Sequence, residues 1–138
     1  MKPKTLKRGF FKRVFGIPAT GTPINDRCWS VKDGKIEIDF SLAPELSRSG
    51  GALRLEGGGL ADRVLVLKGD DGRFHAFKNR CRHMGRRLDP VPGTETVQCC
   101  SIGMSTYDYR GEPVYGPVKG PLEIYDVIEK KDGLVVLI

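Results

Sequence analysis

Hydrophobic residues along this chain either alternate with charged residues or form short apolar runs, and both patterns predict β-strands. The clearest example lies between residues 29 and 40, where Ile36 and Ile38 alternate with charged residues after an Asp33-Gly34 pair. Asp-Gly is a strong signal for a two-residue turn. This segment therefore predicts a β-hairpin.

Shorter apolar runs predict further strands, separated by turns that contain glycine. They occupy residues 53–55, 64–67, 73–77, 123–129 and 134–138, the last two facing each other across Lys131-Asp132-Gly133. Residues 42–46 predict one helical turn. Strands at this spacing, without helical periodicity, predict an all-β domain, a small β-sandwich or barrel.

The composition is typical of one soluble globular domain. The chain has 138 residues, of which 39% are hydrophobic and 29% charged, and its 18 glycines and 9 prolines fit a fold with many turns. The sequence has no apolar run of the roughly 20 residues that a membrane-spanning helix needs. We therefore expect a soluble protein with a single core.

The net charge of +6 is concentrated at the N-terminus. Six of the 23 basic residues lie in residues 1–13, which contain no acidic residue, so the rest of the chain has 17 basic and 17 acidic residues. We therefore divide the chain into a basic N-terminal arm, residues 1–26, and a domain, residues 27–138. Phe10, Phe11 and Phe15 lie among the basic residues, so the arm suits a membrane surface, an acidic partner or nucleic acid, or is a solvated terminus.

The arm superficially resembles a twin-arginine export signal at residues 7–12, but no apolar segment of sufficient length follows it. We therefore expect a cytoplasmic protein. In that reducing compartment the four cysteines would be thiols or metal ligands rather than disulfides.

Candidate ligands for a metal lie in two loops within residues 79–117. Cys81-Arg82-His83 forms a Cys-x-His pair, and Cys99-Cys100 follows one loop later. Thiolate and imidazole suit iron–sulfur clusters or zinc. The sequence therefore predicts a metal-binding subdomain made of two loops.

The motifs of these loops resemble those of the Rieske iron–sulfur family. Cys-x-His-x-Gly-x-x-Leu is followed by a second cysteine loop that ends in Tyr-Asp, and then by Gly-Glu-Pro, Gly-Pro and Pro-Leu. The residues concerned are Cys81, His83, Gly85, Leu88, Cys100, Tyr107, Asp108, Gly111, Glu112, Pro113, Gly116, Pro117, Pro121 and Leu122. The resemblance covers about residues 52–138 and implies a Rieske-like fold, a 2Fe–2S cluster held by two cysteines and two histidines, and one-electron transfer.

The chain departs from this family at the second histidine. If Tyr107 fixes the alignment, Cys100 is the family cysteine and Gly103 takes the place of the histidine, which is the register that we prefer. If Cys99 fixes it, Ile102 takes that place and the loop has one extra residue. His75 is the other histidine of the chain, and its position in a predicted strand makes it a poor replacement.

Four arrangements are compatible with the missing histidine. Cys81, His83, Cys99 and Cys100 could together hold a 2Fe–2S cluster with three thiolates and one imidazole. The same four residues could hold zinc as a closed tetrahedral site, or two of the cysteines could act as a redox dithiol. Alternatively, the domain has lost its cofactor and serves as an assembly or docking module.

The resemblance implies an electron carrier or an accessory subunit of an oxidoreductase rather than an enzyme. We expect a Rieske ferredoxin or small electron-transfer subunit that passes electrons to or from a larger redox protein. Its docking surfaces would be the N-terminal arm and a loop rich in arginine, which contains Arg80, Arg82, Arg86 and Arg87. Binding to nucleic acid is not expected, since the domain itself carries no basic surplus.

Overall fold

The computed structural model describes residues 18–82 and 85–138, and it confirms the all-β prediction: apart from three 3₁₀ turns, the regular structure of these residues consists of β-strands. The strands are β1 Trp29–Lys32, β2 Lys35–Asp39, β3 Ala52–Leu55, β4 Val64–Lys68, β5 Phe74–Lys78, β6 Leu88–Val91, β7 Thr96–Cys99, β8 Thr106–Asp108, β9 Pro113–Tyr115, β10 Ile124–Glu129 and β11 Gly133–Leu137. Among the described residues, no helix is long and apolar enough to cross a membrane.

Seven strands form one antiparallel sheet in the order β1-β2-β11-β10-β5-β4-β3. The two predicted hairpins are present, β1–β2 and β10–β11. Asp33 and Gly34 both have positive φ, 52° and 75°, as the predicted two-residue turn requires. The predicted helical turn at residues 42–46 consists of 3₁₀ turns at Phe40–Leu42 and Pro44–Leu46.

The remaining strands form a second antiparallel sheet in the order β6-β7-β8-β9. Sequence reasoning had treated this part as loops. The strands are three or four residues long and two of them contain proline, so their apolar pattern is too short to be distinctive. This sheet and its connections form the subdomain that carries the predicted ligands.

Two apolar clusters make up the core. One lies among β1–β5, β10 and β11 and includes Cys28. The other joins the two sheets: Leu65 and Phe77 from the large sheet pack with Val97 and Tyr107 from the small one. Cys81 and Cys99 belong to this second cluster. The packing between the sheets therefore holds these two of the four candidate ligands in place.

The described part of the N-terminal arm, residues 18–26, contacts the domain. The backbone N–H groups of Ala19 and Thr20 donate to the buried Asp89 carboxylate at 2.9 and 2.7 Å. The N–H of Arg54 donates to the carbonyl of Gly21 at 3.0 Å. Residues 1–17, which contain the basic residues and phenylalanines of the arm, lie outside the described residues, and the division at residue 26 stays a prediction.

Candidate metal centre

Two connections bring a pair of cysteines together between the sheets. Cys81 follows β5, and Cys99 is the last residue of β7. Their Sγ atoms lie 3.2 Å apart, and the residues are 3% and 1% exposed. Two thiolates on one tetrahedral zinc, with bonds of about 2.3 Å, would lie about 3.8 Å apart. A small outward movement of either sulfur would therefore accommodate a metal.

The loop that carries Cys81 is held by its own backbone. The N–H of Cys81 donates to the carbonyl of Arg86 at 2.8 Å, and the N–H of Gly85 donates to the carbonyl of Cys81 at 3.1 Å. The buried side-chain oxygen of Asn79 accepts from the N–H of Leu88 at 2.7 Å. Gly85 has φ 69°, a conformation that glycine adopts without strain. These bonds close the loop between β5 and β6.

The second loop reverses direction just after Cys99. The N–H of Cys99 donates to the carbonyl of Ser105 at 2.8 Å, and that of Met104 to the carbonyl of Ser101 at 3.2 Å. Met104 has φ 52°, which is unusual for a residue with a side chain. Gly103 lies against Pro117, whose Cγ would be 3.0 Å from an added Cβ. The loop is therefore tightly packed at the position where we expected the missing histidine.

The side chains that follow Cys99 have different surroundings. Cys100 is buried, and its N–H donates to the carbonyl of Arg87 at 3.0 Å. The Cys100 thiol also interacts electrostatically with the guanidinium groups of Arg63 and Arg87. Ser101 places its Oγ 3.1 Å from the Cys99 Sγ. The sequence analysis does not single out Ser101. Side chains two residues apart in an extended chain lie on the same side, so the spacing between Cys99 and Ser101 is the signal that indicates this contact.

Tyr107 packs in the same apolar cluster as Cys81 and Cys99. It is fully buried, and its OH accepts a hydrogen bond from the N–H of Arg82 at 2.8 Å. Burial raises the pKa of the Tyr107 phenol, and the nearby thiols of Cys81 and Cys99 raise it further. Tyr107 therefore stays neutral and attaches the first loop to the small sheet.

The Cys99 thiol is harder to deprotonate than an ordinary cysteine. The hydrogen bond with Cys81, together with burial, raises the pKa of the Cys99 thiol well above its ordinary value, although the hydrogen bond with Ser101 acts in the opposite direction. A metal binds cysteine as thiolate and must displace this proton. Binding of a metal by this pair should therefore be favoured at higher pH.

The structure describes one of the chain's two histidines. His83 lies outside the described residues. His75 lies in β5, the strand that precedes Cys81, and its Nε2 is 2.9 Å from the Asp71 carboxylate while its ring stacks on Tyr109 with centroids 4.2 Å apart. Among residues 18–82 and 85–138, no group of three or more ligating side chains is assembled. The two thiols thus fit one iron of the family's cluster, whereas the described histidine, His75, is engaged by Asp71 and Tyr109.

The arginines near the first loop have different roles. Arg87 makes a bidentate ion pair with Glu56, with N–O distances of 2.6 and 2.8 Å. Arg63 donates to the carbonyl of Gly85 at 2.7 Å. Arg80 and Arg82 are exposed. Arg63 and Arg87 thus stabilise the loop, whereas Arg80 and Arg82 are presented to solvent.

The ion pair between Glu56 and Arg87 should make the domain sensitive to acid. The hydrogen bond from Arg87 lowers the pKa of Glu56 below its ordinary value. A carboxyl group with a lowered pKa stabilises the fold above its unfolded pKa, and this contribution is lost as the pH falls through the folded pKa. We expect the free energy of unfolding, measured by urea denaturation, to fall less steeply below about pH 4.5 in Glu56→Gln than in the native chain.

The matched control for this prediction is Glu123→Gln. Glu123 is exposed and lies 3.6 Å from Lys78, so its ion pair should contribute little. Equal pH dependence in Glu56→Gln and in the native chain would contradict the prediction.

Comparison with known proteins identifies the family. Residues 45–126, more than half of the chain, match the model of the Rieske [2Fe-2S] domain. The oxygenase subunit of glycine betaine monooxygenase from Chromohalobacter salexigens is 36% identical over 53 residues, which are 38% of this chain and 12% of that protein. This chain therefore spans a small part of that relative's length.

Solved structures share the fold. The ferredoxin of carbazole 1,9a-dioxygenase from Nocardioides aromaticivorans aligns with a TM-score of 0.57 and 20% identity, covering 83% of this chain and 96% of that one. A structure of the oxygenase and ferredoxin complex of carbazole 1,9a-dioxygenase aligns with a TM-score of 0.58 and 21% identity, covering 78% and 29%. Together with the matched family model, these similarities show that the chain belongs to the Rieske [2Fe-2S] domain family.

Proposed function

We propose that this protein is a Rieske-type electron carrier, a ferredoxin or small electron-transfer subunit, with a 2Fe–2S cluster of variant ligation. Family membership indicates an electron-transfer or oxygenase-associated domain. The observation that carries the finer proposal is the pair of buried thiols, Cys81 and Cys99, placed 3.2 Å apart by two separate connections. The cytoplasm is the proposed compartment, since its reducing chemistry keeps such thiols available as ligands.

In this proposal Cys81 and Cys99 hold one iron, and His83 and Cys100 contribute to the other. The bound cluster would supply one-electron chemistry. Replacement of a neutral imidazole by a thiolate adds negative charge, so the reduction potential should be lower than in Rieske centres with two histidines.

Neighbouring side chains would preserve this site. The apolar cluster around Cys81 and Cys99 covers most of the surface of both residues. Tyr107 fixes the first loop through the N–H of Arg82. The Ser101 Oγ accepts from the Cys99 thiol in the structure and would donate to that sulfur once it is a thiolate ligand. Hydrogen bonds to ligand sulfurs tune the potential of iron–sulfur centres, so Ser101 is a tuning residue in this proposal.

The alternative is a Rieske-fold subunit without a cofactor, which assembles with or docks to a partner. The absence of an imidazole at both Gly103 and Ile102 favours this alternative. A zinc site made of the same four side chains is a further alternative.

Assay of iron, acid-labile sulfide and zinc in protein purified without oxygen tests these alternatives. We expect a coloured protein with visible absorbance and about two irons and two sulfides per chain. One zinc without sulfide would support the zinc site. A colourless protein without metal would contradict the proposed function and support the docking module.

The proposed partner is a larger redox protein. Structures that share this fold include the oxygenase and ferredoxin complex described above. The N-terminal arm and the arginine loop are the proposed contacts, with Arg80 and Arg82 exposed, Arg86 half-buried and Arg87 paired with Glu56. A membrane surface is the other possible contact for the arm.

Deletion of residues 1–17 should weaken partner binding without unfolding the domain. The deletion ends before Ala19 and Thr20, whose N–H groups bind Asp89, so Tm should change by less than about 2 °C. We expect weaker, less salt-dependent sedimentation with anionic phosphatidylglycerol vesicles, and less co-purification with redox proteins from the native cell extract. Both effects follow from the loss of six cations.

A full-length variant with Phe10, Phe11 and Phe15 replaced by serine separates apolar contact from charge. A large fall in Tm on truncation would place the phenylalanines in the domain core and contradict the prediction. Unchanged binding after truncation would also contradict it.

A further inference from the structure

We propose that, in the cluster-free protein, Cys81 and Cys99 form a reversible disulfide, and that anionic low-molecular-weight disulfides reach them through a cationic cavity beside Cys81. This adds a two-electron thiol–disulfide activity to the domain. It does not depend on the one-electron function proposed above, since it concerns the chain without iron.

The first observation is the geometry of the pair. The two sulfurs are 3.2 Å apart, and a disulfide bond is about 2.05 Å long, so each sulfur has to move by less than about 1 Å. Both residues are held in one apolar cluster by separate segments of chain. The fold therefore brings the two thiols into contact before any bond forms.

The second observation is a cavity of about 460 Å³ with Cys81 in its wall. Most of its other lining residues are cationic: Lys78, Arg80, Arg82 and Lys119, with Glu123 as the acidic one. Lys78 lies 3.6 Å from both Asp62 and Glu123, whereas Arg80, Arg82 and Lys119 are exposed. The cavity thus gives an anionic reagent a route to Cys81, which is otherwise buried.

The reaction balances as a two-step exchange. The thiolate of Cys81 attacks one sulfur of the incoming disulfide, which forms a mixed disulfide and releases one thiol. The thiolate of Cys99 then attacks the Cys81 sulfur, which forms the Cys81–Cys99 disulfide and releases the second thiol. Two electrons and two protons pass from the protein thiols to the reagent. Oxidised glutathione has the required negative charge and serves as the probe.

The cluster and the disulfide use the same sulfurs, so one chain cannot hold both. Iron and sulfide assays detect the cluster, and peptide mapping detects the disulfide. If the protein never contains iron, the proposed electron-transfer function is rejected. The disulfide experiment can still be carried out, and its outcomes keep their meaning.

The experiment starts from the full chain, with iron removed by a chelator under reducing conditions where iron is present. After equilibration in mixtures of reduced and oxidised glutathione, free thiols are alkylated and peptides are mapped by mass spectrometry. We expect one linked pair, Cys81 with Cys99, which reduced glutathione reverses, while Cys28 stays alkylatable in the unfolded, quenched protein. A linked pair that involves Cys100 instead, or no linked pair, would overturn the proposal. An unfolded cluster-free chain would also overturn it, because only the fold brings the thiols together.

Single variants distinguish the order of attack. Cys99→Ala should accumulate a glutathione adduct on Cys81, since the second step is blocked. Cys81→Ala should form neither the linked pair nor an adduct on Cys99. Cys28→Ala, from the other apolar cluster, is the matched control and should form the disulfide as the native chain does. An adduct on Cys99 in Cys81→Ala would contradict the assigned route.

Charge variants test the cavity. Arg82→Ala combined with Lys119→Ala should slow oxidation by glutathione disulfide by about tenfold, within the range that steering by local charge produces. The same variant should be oxidised faster by cystamine, a cationic disulfide. Lys130→Ala, an exposed lysine at the β10–β11 turn, is the control and should change neither rate. Equal effects on the two reagents would reject the cavity as the entry route.

Discussion

Replacement of Cys81 or Cys99 by alanine should empty the site of iron. The two sulfurs lie 3.2 Å apart. In the proposed function both bind the same iron, so each replacement removes one of its ligands. Loss of a residue that only supports a metal ligand already lowers affinity by about 10–100-fold. We therefore expect iron content, sulfide content and visible absorbance to fall by more than tenfold in each variant, relative to the native chain.

Cys28→Ala is the control for this prediction, because Cys28 is equally buried but belongs to the other apolar cluster. Circular dichroism of each variant separates cluster loss from unfolding. A folded Cys99→Ala protein with full cluster occupancy would exclude the arrangement with three cysteines.

Cys100→Ala decides whether this residue is a ligand. The proposed ligand set predicts that iron content falls in this variant too. The structure also gives Cys100 a different environment, beside the guanidinium groups of Arg63 and Arg87. Full occupancy in Cys100→Ala would leave Cys81, His83 and Cys99 as the protein ligands and assign Cys100 a packing role.

Much of the large sheet could be predicted from the sequence. Ile36 and Ile38 alternate with charged residues and show a period of two, and the apolar run of β4 is long enough to indicate a buried strand. The small sheet could not be predicted in this way. Its strands depend on cross-strand bonds between segments such as β6 and β7, and on burial of Val97 and Tyr107 against the large sheet. Such contacts between distant segments leave little periodic signal in three or four residues.

Only part of the candidate site could be predicted from the sequence, because its geometry also depends on contacts between distant segments. The Cys-x-His motif and the second cysteine loop contain Cys81 and Cys99, which the structure brings together between the sheets, and their role as ligands stays a prediction. The sequence could not show which of the adjacent cysteines faces Cys81, since that depends on the register of β7. In the structure Leu88 pairs with Cys99, which directs the Cys99 sulfur into the cluster with Cys81. The contact between Cys81 and Cys99 favours the register in which Ile102 takes the place of the histidine. The choice between the two registers stays a prediction.

Restoration of the histidine should raise the reduction potential. In the register fixed by Cys99, Ile102→His recreates the family's Cys-x-x-His spacing. Ile102 is 54% exposed, so an imidazole there displaces no core packing. We expect Ile102→His to hold a cluster with two cysteines and two histidines, with a potential raised by on the order of 100 mV or more, measured by voltammetry or by titration followed at visible wavelengths.

Gly103→His tests the other register, in which Cys100 is the family cysteine. Its Cβ would lie 3.0 Å from the Cγ of Pro117, so the proline ring has to shift by a few tenths of an ångström. Gly103→Ala and Ile102→Ala introduce the same backbone changes without an imidazole and serve as matched controls. A raised potential in Gly103→His alone would make Cys100 the family cysteine, despite the contact between Cys81 and Cys99. If neither histidine variant gains a cluster or shifts its potential relative to its alanine control, the second loop does not have the conformation that places a histidine at the cluster in the family.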